Sequence, residues 1–84
     1  MEKNRYLVLF FTQYGAIHYA RLLKKENLHC ETKPVPRSLS SSCGVCVETE
    51  TEKNVLDFIT EDVEFIYRIR EDGSFELLYE QKEE

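Results

Sequence analysis

No stretch of the 84-residue chain approaches the ~20 apolar residues needed to cross a bilayer. The one apolar run near the start, Tyr6–Phe11 behind Met1-Glu-Lys-Asn-Arg5, is too short for the core of an export signal. A cytoplasmic, membrane-free protein is therefore expected, in a compartment where thiols stay reduced. Cysteine is scarce and odd in number, 3 in all, which excludes a closed disulfide framework. Positive charge is also short, with 11 Lys and Arg against 16 Asp and Glu and a net charge of −5. An acidic surface repels phosphate, so nucleic acid is not an expected partner. The local basic group Arg21, Lys24 and Lys25 reads as the wet face of a helix. Neither internal repeats nor a linker composition is present, and 1–84 reads as a single domain. A chain this short buries roughly 60–65% of its unfolded surface, so its core is thin and a second copy would help to complete it.

What is present is a run of short elements. Arg5–Phe11 is apolar without alternation, as in a strand covered on both faces. Thr12 caps a helix over Tyr14–Asn27, with Ala16, Ala20, Leu23 and Asn27 on one face and Ile17 alongside. Leu28–Val35 reads as a strand whose Pro34 and Pro36 suit an edge. Gly44–Thr49 alternates, with Val45, Val47 and Thr49 on one face and Cys46 and Glu48 on the other. Lys53–Asp62 carries Val55, Leu56 and Ile59 at helical spacing, which predicts a second helix. Glu64–Arg70 and Phe75–Glu80 form a hairpin about the turn at Gly73. The order predicts an α+β, ferredoxin-like βαββαβ sandwich with an extra C-terminal strand. Its antiparallel sheet would carry both helices on one face, with the first strand central. The other face, holding Phe10, Phe65 or their neighbours, would be closed by a covering segment or by a homodimer partner.

The chemistry concentrates in Pro36–Cys46, PRSLSSSCGVC. Cys30 sits in a strand without a polar cluster of the kind around Cys43 and reads as a small buried hydrophobe. Cys43 stands where loop becomes strand, before Gly44, whose missing side chain lets other groups approach. Ser40, Ser41 and Ser42 offer hydroxyls and consecutive amides, and Arg37 brings a fixed charge. A thiolate there would be stabilised by hydrogen bonds and by opposite charge, and the thiolate is the nucleophile. The same loop could hold a small anion in a hollow of amides. Cys43 and Cys46 also spell C-x-x-C. Positions three apart on a strand point to opposite faces, so a thioredoxin-like pair would need a turn at Gly44. As half of a zinc site the motif lacks a second half, since His18, His29 and Cys30 have the wrong spacing. Neither a metal nor a cofactor is expected.

The blocks Tyr6–Thr12, Ala16 with Leu22–Lys24, Pro34–Arg37, Ser40–Gly44 and Ile66–Ile69 resemble a small bacterial family of selenium/sulfur carrier-like proteins. The likeness covers most of the chain, and the Pro-x-Pro-Arg, serine and Cys-Gly blocks are its specific part. The resemblance implies that Cys43 carries a chalcogen as a persulfide or selenosulfide, received from a donor protein of desulfurase type and passed to an acceptor. It implies a carrier more than an enzyme. Cys46 stands where such sequences more often have a small apolar residue, so its role as a second thiol is read from the C-x-x-C spacing and is not implied by the resemblance. The alternatives are a regulatory module that binds an anion through Arg37, Ser40, Ser41, Ser42 and Gly44, and a redox protein using both thiols.

Overall fold

The computed structural model describes residues 3–82. Its elements run β1 (Asn4–Phe10), α1 (Gln13–Lys25), β2 (Cys30–Pro34), β3 (Val45–Thr51), a 3-10 turn (Val55–Phe58), β4 (Val63–Ile69) and β5 (Phe75–Glu80). The strands make one antiparallel sheet in the order β2-β3-β1-β4-β5. The first strand is central, as its doubly apolar sequence requires. β2, with Pro34 at its end, lies at an edge, where a missing amide costs no ladder bond. Asp72 and Ser74 build the hairpin turn between β4 and β5, with Gly73 at φ +86°.

The two-helix ferredoxin-like sandwich is not what forms. Among the described residues there is one α-helix, and the connection between β3 and β4 holds a 3-10 turn of 4 residues. Asn54 starts that turn, its side chain accepting from the Leu56 amide at 3.0 Å. Only Val55 of the segment's apolar residues is fully buried, while Ile59 is 36% exposed. A stretch this short cannot repay helix nucleation unless a whole face is buried, and a single anchoring valine leaves it as a turn.

Alternation along β1 divides the core in two. Tyr6, Val8 and Phe10 face α1 and pack with Ala16, Tyr19, Leu23, Val47, Val55, Val63 and Ile66. Phe10 thus lies under the helix and not on the opposite face. Leu7 and Leu9 face away, with Cys46 and with Phe65, Tyr67, Ile69 and Phe75 around them. That second face is partly covered by the chain itself, because Val35 and Leu39 of the serine loop fold onto it. The helix starts at Thr12, whose hydroxyl accepts from Gly15 N at 3.0 Å.

Candidate functional site

Register fixes where the thiols stand. Leu9 of β1 is paired with Cys46 of β3, and Phe10 with Val63 of β4. The end of β1, the starts of β3, β4 and α1, and the loop before Cys43 therefore share one end of the sheet. The loop turns first at Pro36, whose carbonyl accepts from Leu39 N at 3.0 Å. It rejoins the sheet at Gly44, whose carbonyl accepts from Val35 N at 3.1 Å. Gly44 has φ +75°, a left-handed angle that favours glycine, and a Cβ built there meets nothing within 4 Å. The space beside Cys43 is open.

Cys43 is partly exposed and packs its inner side on the cluster beneath α1. Its Sγ donates to the Val45 carbonyl at 3.3 Å. The Ser41 hydroxyl accepts from the amides of Cys43 (3.3 Å) and Gly44 (3.1 Å). Ser42 is held differently, its amide donating to Glu64 Oε1 at 3.1 Å and its hydroxyl to Oε2 at 2.7 Å. Glu64, on β4, is the residue that sequence reasoning missed. It stands 22 positions from Ser42 on a different strand, so no local spacing joins the two.

The remaining predicted residues divide. Arg37 and Ser40 are exposed, and Arg37 makes no ion pair among the described residues. The amides of Ser42, Cys43 and Gly44 are already occupied by Glu64 and Ser41, which leaves the proposed anion hollow filled from within. Cys46 is fully buried on the opposite face of the sheet, its Sγ donating to the Pro34 carbonyl at 3.7 Å. Burial pushes its thiol up to about 11, partly countered by the Lys33 ammonium and reinforced by Glu48 and Cys43. Cys30 is half-buried, with its Sγ donating to the Ala20 carbonyl at 3.6 Å. All three thiols are free. No group of three or more His, Cys, Asp or Glu placed to hold a metal occurs among the described residues. His18 stacks on exposed Tyr14 at 4.3 Å between ring centres and is remote from the loop in sequence.

A family model described as "Putative Se/S carrier protein-like" matches residues 5–69. That span is most of the chain, and the chain belongs to this family. No curated protein and no solved structure matches it.

Proposed function

We propose that this family member carries a single sulfur or selenium atom on Cys43. The observation that supports the reading is access: Cys43 is a partly exposed loop thiol beside a glycine with open space where a side chain would be. The step needs no cofactor. The Cys43 thiolate attacks the outer sulfur of a donor persulfide, R–S–SH. The donor's S–S bond breaks as the new one forms, giving Cys43–S–SH, and R–S⁻ leaves with the electron pair. No net oxidation occurs, because the sulfur arrives already at the persulfide level. Free sulfide would need a two-electron oxidant to reach the same product.

Each neighbour has a part in this reading. Ser41 and Ser42 hold the loop backbone, Gly44 leaves room for the donor, and exposed Arg37 steers an acidic partner surface. The partners are a desulfurase-like donor and an acceptor protein. The two-thiol alternative has little support, since Cys46 is buried on the far face with its ionisation suppressed. The anion-binding alternative is weakened by the filled amides.

Incubation with a cysteine desulfurase and cysteine should add one sulfur mass to the wild type and none to Cys43→Ser. Equal loss of loading in Cys46→Ser would favour two thiols, and no loading at all would end the carrier reading. A second copy would dock on the uncovered half of the sheet face around Phe75 and half-exposed Leu77. Sedimentation showing only monomer at micromolar concentration would exclude it.

A further inference from the structure

We propose that Glu64 is a positioning residue for Cys43 and a filter against free anions. Its carboxylate is the only side chain from another strand that hydrogen-bonds the segment Ser40–Gly44 among the described residues, and it does so through both oxygens. The bonds fix Ser42, the residue directly before Cys43, to the start of β4. β4 is paired with central β1 on either side of Glu64, Phe65 with Leu9 and Val63 with Phe10. Glu64 itself lies at the irregularity between these pairs and its carbonyl accepts from Gln81 N at 2.9 Å, so its two neighbours tie the loop to the sheet's middle. Ser41 then fixes the next two amides. Cys43 is thus held between two pinned residues while its outer side stays open.

The charge has a second effect. Consecutive amides at a loop end attract small anions. Here the protein's own carboxylate fills the Ser42 amide and leaves a negative charge against the residue that precedes the thiol. Hydrosulfide, sulfite and selenite are repelled, whereas a sulfur atom bound covalently in a donor protein is not. This choice of source rests on the carrier reading; the placement of Glu64 does not.

Two alkylating reagents of similar size separate charge from placement. Neutral iodoacetamide and anionic iodoacetate should both modify Cys43, the anion more slowly. Glu64→Gln keeps an oxygen acceptor for Ser42 and removes the charge. The rate ratio of iodoacetate to iodoacetamide should rise about threefold in low salt, the size expected for one charge a few ångströms beyond contact across water. In about 1 M salt, where screening acts over ~3 Å, the rise should vanish. Glu64→Ala should raise the ratio equally and also speed amide exchange across residues 40–44 several-fold, an effect that Glu64→Gln should largely avoid. An unchanged ratio in Glu64→Gln overturns the filter. Amide exchange in Glu64→Ala equal to wild type overturns the positioning role. Sulfur loading from the desulfurase is read separately on the same variants. If wild type does not load while the alkylation ratio responds as stated, the carrier reading fails and Glu64 keeps its role.

Discussion

The burial of Cys46 makes a quantitative prediction about thiol labelling. Alkylation consumes the thiolate. At pH 8 a thiol at its ordinary value of 9.0 is ionised in about one molecule of ten, and one pushed to about 11 in about one of a thousand. Ionisation alone therefore slows attack on folded Cys46 about a hundredfold relative to the unfolded chain. Direct attack is slower still, because the residue has no exposed surface. The other route is transient opening of β2 from β3. An opening free energy of about 3 kcal/mol would limit that route to roughly one part in 150 of the unfolded rate. The observed rate is the sum of the two routes, so Cys46 stays unlabelled only while both are slow. Cys43 and Cys46 share the tryptic peptide 38–53, while Cys30 lies on 26–37. The Cys43→Ser variant places the two remaining thiols on separate peptides. In this variant, iodoacetamide at pH 8 should modify Cys46 at least a hundredfold more slowly than in denaturant. In the wild type, Cys43 should be modified first. A native Cys46 rate within tenfold of the unfolded rate would refute the assigned burial and its effect on ionisation. The same suppression has a stability consequence. The unfolded chain releases this proton above about pH 9 and the folded chain only near 11, so folding should weaken as pH rises through that interval, by at most about 2–3 kcal/mol.

Tyr19 buries its hydroxyl without a hydrogen-bond partner among the described residues, so Tyr19→Phe should stabilise the fold by about 1 kcal/mol, read as a higher urea midpoint. A loss of stability would mean that the hydroxyl is satisfied. Gly15→Ala would bring a Cβ within 2.5 Å of Asp62 Cβ and should cost about 1–3 kcal/mol. Gly44→Ala meets no atom and should cost only the ~1–2 kcal/mol of its left-handed backbone, so thermal melts should rank Gly15→Ala no better than Gly44→Ala. Burial pushes Glu48 up, but its hydrogen bonds from Lys33 (2.8 Å) and Arg5 (3.1 Å), together with the attraction of both positive charges, outweigh it and lower the net value. Its contribution is present above the ordinary carboxylate value of 4.5 and is lost as pH falls through the lowered one. Glu48→Gln should therefore flatten the acid limb of the stability profile, and an unaltered limb would count against the ion-pair assignment.

Strand pattern was legible wherever one face or both are buried by the sheet itself. The unbroken apolar run announced β1, and the alternation from Val45 placed Cys46 opposite Val47, as found. The Thr12 cap was visible because its signal is local. The second helix was misread because Val55, Leu56 and Ile59 have helical spacing, yet spacing does not say whether a partner surface exists. Tyr19 was overlooked in the core because a phenol is ambiguous in sequence, while Ile17, which suggested burial, is 49% exposed. At the site, Cys43, Gly44 and the serines were legible as a local block. Their connection to Glu64 was not, since it arises only when β4 reaches its place beside β1.

That place of β1 also governs how the chain reaches its native state. The strand made first, with Tyr6 through Phe10 fully or almost fully buried, finds its two neighbours only when β3 and β4 have been synthesised. Its pairings span long loops, which slows folding, whereas the β4–β5 hairpin closes over a few residues. During translation a short, uncharged, strongly β-forming segment must wait unpaired on the ribosome, the kind of segment that seeds aggregation. Charges at Lys3 and Arg5 flank it on one side and act as gatekeepers. The first turns of α1 are the earliest structure available to cover it.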